Sequence, residues 1–260
     1  MEEAYEYDAY GEFASVYDRL MEDMPYEEWL RFAEACWSRY GKPSSVADLG
    51  CGTGSVAIPL ALSGMSVYGI DLSPDMLTIA SSKWEEAAAG ARVKGAVTWL
   101  EQDMRDWALP QEVDAVVSFC DCINYLTEES DVEEAFRAAY AGLRSGGLFL
   151  FDVQAPSTFV RYSDEQPFVL DEDDVAYIWT CELDEARCEI EHRLTIFASD
   201  GGGDERFRRF EEIQRQRAYD PEWMEAALLR AGFSSVDRYA DFELKPAGKQ
   251  AQRLFFAAVK

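Results

Sequence analysis

The 260-residue chain has one histidine, His192, and only 24 lysines and arginines against 50 aspartates and glutamates. Each shortage excludes something. One histidine and six cysteines without a C-x-x-C pair supply too few ligands for a zinc site, and irregular cysteine spacing does not support a disulfide scaffold. No apolar run approaches the ~20 residues that a membrane span needs. The N-terminal MEEAYEYDAY is acidic and aromatic, the reverse of a targeting peptide, so the expected location is cytoplasmic. The formal charge of −26 argues against nucleic acid and membrane as partners. The densest basic stretch, ERFRRFEEIQRQR at 205–217, is interleaved with acids. Repeats and low-complexity linkers are absent as well. Apolar residues, at 48%, are plentiful enough for a packed core.

The first forty residues read as an aromatic arm followed by an amphipathic helix, PYEEWLRFAEACWSRYGK, with Pro25 in its first turn and Gly41 as its stop. From 44 to 153 apolar strands alternate with helices. The strands are SSVADL, MSVYGID, GAVTWLEQD, VDAVVSFCD and LFLFDV. Ser73 and Pro74 are placed to cap and open the helix after the second strand. Such alternation predicts a parallel sheet covered on both faces. Asp48, Asp71, Asp103 and Asp121 fall at or beside strand ends, where ligands of such sheets bind. Beyond about 155 the pattern changes to β-branched and aromatic residues with turn signals at DEA and DGGGD. This predicts three or four antiparallel strands, followed by a helix, DPEWMEAALLRAGF, and a closing strand pair.

The loop in SVADLGCGTGS, residues 45–55, selects the ligand. Its glycines fall at 50, 52 and 54, with Ser55 where a dinucleotide fold places its third small residue. No Gly-Lys-Ser/Thr ending is present either, so phosphate binding is the weaker reading. The order D-L-G-C-G-T-G, then Asp71 in GIDLSPDML, Asp103 in EQDMRD and Asp121 in SFCDCINYL, resembles the Rossmann-like S-adenosylmethionine-dependent methyltransferases. The resemblance implies an α/β fold: a doubly wound sheet of seven strands, the last antiparallel, with helices on both faces and a small antiparallel β insertion. It divides the chain into an arm and helix over the cofactor site at 1–43, a core at 44–156 and 220–260, and the insertion at 157–219, a lid or a dimer contact.

The same resemblance implies roles for individual residues. Asp48, Gly50, Cys51 and Gly52 would hold the methionyl part, and Asp71 the ribose. Leu72, Met76 and Met104 would lie against the adenine, and Asp103 would accept from its amino group. Cys120 would complete the cofactor wall. The N-terminal segment and the inserted sheet are similar to bacterial methyltransferases without an assigned substrate, to glycine N-methyltransferase and to the amino-sugar N-methyltransferases. In those families an arm with a tyrosine folds over the cofactor, which points to Tyr17, with Tyr5, Tyr7 and Tyr10 as further candidates. Asp121 and Tyr125 are the expected catalytic residues, with Asn124 lining the acceptor site. The amino-sugar enzymes carry a histidine where this chain has Tyr125. A phenol with a pKa near 10 is a poor base at neutral pH but can orient a nucleophile.

The expected activity is methyl transfer from S-adenosylmethionine to a nitrogen or oxygen of a small polar molecule, without a metal, by a monomer or homodimer. The alternatives are an enzyme acting on tRNA or protein, and a regulator that binds the cofactor without turnover. His192 reads as structural, and the acidic run DEDD at 171–174 as a solvated turn.

Overall fold

The computed structural model describes residues 11–89, 93–199, 206–248 and 251–260. Tyr5, Tyr7, Tyr10 and the DGGGD turn lie outside the described residues. Two helices open the chain, α1 (Gly11–Leu20) and α2 (Tyr26–Tyr40). The core continues as β1 (Ser45–Leu49), α3 (Ala57–Leu62), β2 (Ser66–Asp71), α4 (Pro74–Ala88), β3 (Ala96–Glu101), β4 (Val113–Ser118), α5 (Glu129–Gly142) and β5 (Leu143–Gln154), with a short 3-10 turn at Cys122–Tyr125 after β4. Then come α6 (Pro156–Glu165), β6 (Phe168–Asp171), β7 (Val175–Asp184), β8 (Glu189–Ser199) and β9 (Phe207–Arg217). The chain closes with α7 (Pro221–Ala231), β10 (Ser235–Ala240), β11 (Glu243–Pro246) and β12 (Arg253–Val259).

The main sheet runs β11-β10-β12-β5-β4-β1-β2-β3. Strands β1 to β5 pair in parallel, and β12 lies antiparallel to both β5 and β10. This is the doubly wound sheet expected from the sequence, with the short edge strand β11 as an eighth member. Side chains alternate between its faces. Phe149, Phe151 and Val153 of β5 pack with α5 and α7, whereas Leu148 and Leu150 pack with α2 and α3. Both faces are therefore dry, which is why these strands tolerate almost no polar residue. Caps fix where helices begin: Ser73 accepts from the Met76 N–H at 3.3 Å, and Asp220 from the Trp223 N–H at 2.9 Å.

Three local features differ from the sequence reading. The arm contains a second amphipathic helix, α1, whose Phe13 is buried with Val175 and Ile196 of the second sheet. Residues 156–165, at the start of the stretch read as all β, form helix α6. Helix α5 ends at Gly142, ahead of the glycine pair, and Gly146 and Gly147 belong to an irregular start of β5. The second sheet has four antiparallel strands, β6-β7-β8-β9. Residues 207–217, which have some helical spacing, form strand β9 because every residue from Phe207 to Arg217 finds a register partner on β8. The DEDD run is an exposed turn between β6 and β7, as expected, and it carries ion pairs: Arg19 of α1 reaches Asp174 at 3.1 Å and also pairs with Glu172.

Candidate active site

The carboxyl ends of β1, β2 and β4 open into a cavity of about 430 Å³. The first wall is the loop after β1. The N–H groups of Gly50 and Cys51 both donate to the Ile70 carbonyl, at 2.8 and 3.0 Å, which folds the loop back over β2. Gly50 has φ +71°, and a β-carbon there would stand 2.6 Å from the Cys122 sulfur. Gly52 has φ +51°, and a β-carbon there would meet no atom within 4 Å, so this backbone faces open space.

Asp71 closes the turn. Its carboxylate accepts from the Gly52 N–H at 2.8 Å and the Ser73 N–H at 2.9 Å, leaving further lone pairs for hydroxyl donors. Asp48 is buried, and its Oδ2 has no hydrogen-bond partner among the described residues. Burial, followed by the nearby Asp71 charge, pushes the Asp48 carboxyl up to about 7. A buried carboxylate oxygen without a donor, beside an open glycine backbone, fits the cationic α-amino group of S-adenosylmethionine.

The opposite wall holds Leu72 and Met76 after β2, and Gln102, Asp103, Met104 and Arg105 after β3. Arg105 forks onto Asp103, with Nε 3.0 Å from each oxygen, and reaches Asp131 at 2.8 Å. That guanidinium holds the Asp103 carboxyl below its usual range. The sulfurs of Cys51, Cys120 and Cys122 complete the interior, and burial pushes all three thiols well up. They remain protonated near neutral pH and offer no thiolate that would compete for a methyl group.

The roof comes from outside the strand-helix core. Helix α1 contributes Tyr17, α2 contributes Tyr26, and β9 of the second sheet contributes Glu212, Gln214 and Arg215. The Tyr125 hydroxyl donates to Gln214 Oε1 at 2.9 Å, so the turn after β4 touches the second sheet across the cavity. Burial pushes the Tyr26 phenol up to about 12.

Every residue assigned to the cofactor from the sequence lines this cavity: Tyr17, Asp48, Gly50, Cys51, Gly52, Asp71, Leu72, Met76, Asp103, Met104 and Cys120, and Tyr125 joins them. Asp121 and Asn124 do not. Asp121 and Cys120 have φ of 54° and 59°, and this left-handed step turns the Asp121 side chain away from the cavity. Its oxygens accept from Gln216 at 2.8 Å and Gln154 at 3.3 Å, and Arg253 stands 2.8 Å away. Asn124 is fully buried, donating to the Arg217 carbonyl and accepting from the Gln154 N–H, each at 2.9 Å. The geometry gives both residues structural partners in place of substrate.

Tyr26, Thr53, Cys122, Glu212 and Gln214 were not expected at the site. Cys122 was legible, two residues from Cys120 in the same motif. Glu212 and Gln214 were not, because only tertiary folding brings a strand from 207–217 over the end of β4. His192 is buried, its Nδ1 accepting from Trp179 Nε1 at 3.1 Å, and burial lowers its pKa. Among the described residues no helix is long and apolar enough to cross a membrane.

Residues 46–147 match the family model described as "Methyltransferase domain". A relative from Geobacillus sp. (strain WCH70), which carries the name "putative methyltransferase", is 34% identical over 96% of this chain and 99% of its own. An S-adenosylmethionine-dependent methyltransferase from Clostridium acetobutylicum ATCC 824 has a similar structure, with TM-score 0.80 and 25% identity, covering 96% of this chain and 98% of that one. The sugar N-methyltransferase KedS8 from Streptoalloteichus sp ATCC 53650 shares the fold, with TM-score 0.73 and 23% identity over 95% of this chain and 92% of its own. With that likeness running nearly end to end, and a glycine loop and a buried carboxylate oxygen without a donor suited to a sulfonium amino acid, the chain belongs to the S-adenosylmethionine-dependent methyltransferases.

Proposed function

We propose that the enzyme transfers the methyl group to a nitrogen or oxygen of a small polar molecule. The observation that carries this reading is the cavity itself: Tyr17, Tyr26, Glu212 and Gln214 line it from outside the strand-helix core, and its volume of about 430 Å³ is of the size that holds small molecules. The shared fold of a sugar N-methyltransferase supports it, as does the charge of −26, which opposes RNA.

Bound S-adenosylmethionine supplies a methyl carbon activated by the sulfonium. Asp48 takes its ammonium group, the Gly50–Gly52 backbone approaches its methionyl part, and Asp71 takes the ribose hydroxyls. Leu72, Met76 and Met104 cover the adenine face, and Asp103, oriented by Arg105, accepts from the adenine amino group. Tyr17 caps the site. Methyl transfer is an in-line displacement, so the protein's work is chiefly alignment and exclusion of water. Tyr125, tied to Gln214, orients the acceptor, and Glu212 is the carboxylate that the second sheet presents to the cavity. In this reading the inserted sheet is a lid.

The test incubates purified enzyme with methyl-labelled S-adenosylmethionine and a cell extract separated into small-molecule and macromolecular fractions. Label in the small-molecule fraction is the expected result. Label confined to RNA or protein overturns the acceptor class, and tight cofactor binding with no label in either fraction favours a regulator.

A further inference from the structure

Beneath the acceptor wall lies a buried polar chain that no step above uses. Its centre is Asp152, at the end of β5, with a side chain of 0% exposure. Its two oxygens accept from the backbone N–H groups of Cys120 and Asp121, at 2.8 and 3.1 Å. Trp29 of α2 donates its indole N–H at 2.8 Å, and Arg253 of β12 pairs with the same carboxylate. The Arg253 guanidinium also lies over the Trp29 ring, 5.1 Å from its centre. From Arg253 the chain passes to Asp121 at 2.8 Å, from Asp121 to Gln216 of β9 at 2.8 Å, and from Gln216 to His192 of β8 by a further hydrogen bond.

Two consecutive non-glycine residues at positive φ are strained, and surrounding structure must hold them there. A carboxylate that accepts both of their N–H groups supplies that hold through charge-assisted bonds. The step matters because it decides which side chains face the cavity: Cys120, Cys122 and Tyr125 face in, and Asp121 faces out toward Gln216. The same link fixes β9, whose Glu212 and Gln214 form the facing part of the roof.

We infer that Asp152, Arg253 and Gln216 are positioning residues for methyl transfer, a buried relay that sets the turn after β4 and the inserted sheet against each other as one acceptor wall. Of the residues assigned to the cofactor only Cys120 touches this relay, through its backbone N–H; Asp48, Asp71 and Asp103 stand on β1, β2 and the loop after β3, outside it. Breaking the relay should therefore slow transfer while leaving cofactor binding in place.

Two variants test this. Asp152→Asn removes the charge and one acceptor at the centre. Gln216→Met cuts the relay's own link to the second sheet with one neutral side chain for another, leaving the Asn124–Arg217 and Tyr125–Gln214 hydrogen bonds in place, and it decides the question alone should Asp152→Asn fail to fold. The readouts are cofactor affinity by calorimetry, transfer rate at saturating cofactor into whichever extract fraction the wild type labels, and amide hydrogen exchange. Gln216→Met should lower the rate by about 10–100-fold with affinity held within about threefold. Exchange should quicken together at 119–126 and 211–217 but not at 46–54. An unchanged rate, or rate and affinity falling in parallel, overturns the inference. Label in macromolecules sinks only the acceptor class and leaves the comparison readable. Should the wild type label nothing, exchange at 119–126 that is indifferent to Gln216→Met overturns the relay.

Discussion

Asp48 carries two opposed demands at the scale of one side chain. Burial pushes its carboxyl up to about 7, against about 4 in an unfolded chain. Between those values the folded protein binds more protons than the unfolded one, so stability falls as pH rises from about 4 to 7 and stays reduced above. Asp48→Asn removes that penalty. Its melting temperature should exceed that of the wild type at pH 8, by a stability gain on the order of 1–4 kcal/mol, and the gain should vanish toward pH 4. Cofactor affinity should move the other way. In the wild type it should rise with pH up to about 7, because the ammonium group needs the ionised carboxylate; in the variant it should be weak and insensitive to pH. Melting curves and calorimetry across pH 5–8.5 check both, and a variant that binds as well as the wild type would remove Asp48 from the cofactor site.

At the scale of elements, α1 joins parts of the molecule that are far apart in sequence. One end of it is latched to the cofactor loop: Thr53 donates to Asp18 at 2.6 Å, and Lys83 of α4 reaches Asp18 at 2.7 Å. Its apolar side, with Phe13, Val16, Tyr17 and Leu20, packs on β7 and β8. Roof and floor are thus connected through ten residues. The Lys83 pair is half exposed and weak, whereas the bond from buried Thr53 to a carboxylate contributes about 1.5–3 kcal/mol. Asp18→Ala should speed cofactor dissociation about tenfold or more without altering the core, as stopped-flow release of the product S-adenosylhomocysteine would show. An unaltered release rate would mean that α1 does not move with the cofactor.

At the scale of the whole molecule, charge favours the cofactor. The cavity is lined by the carboxylates of Asp48, Asp71, Asp103, Asp131 and Glu212 against the guanidiniums of Arg105 and Arg215, on a protein of net charge −26. S-adenosylmethionine carries one net positive charge, so the field draws it in. Raising ionic strength from roughly 0.05 to 0.5 M shortens the screening length to well under 10 Å and should slow association several-fold. Rapid-mixing kinetics over that range would show it, and a salt-independent rate would confine electrostatics to contact distance.

The core of the fold and the residues that line the cavity at the ends of β1 to β3 were legible in the sequence because both are written locally. Glycines 50, 52 and 54 and the acids at strand ends occupy fixed positions in successive strand-loop-helix units, and apolar runs such as VDAVV allow little besides a strand buried on both faces. Helix α1 was less legible, since its apolar side is satisfied only by the second sheet. The acceptor half depended on long-range contacts. Whether Asp121 faces the cavity or Arg253 rests on a backbone step held by Asp152, 31 residues away in sequence. Glu212 and Gln214 reach the roof because β9 folds back over the turn after β4. Local pattern determined the cofactor and the sheet that holds it, while tertiary structure decided the acceptor wall, because a side chain's direction there is fixed by partners that sequence spacing does not reveal.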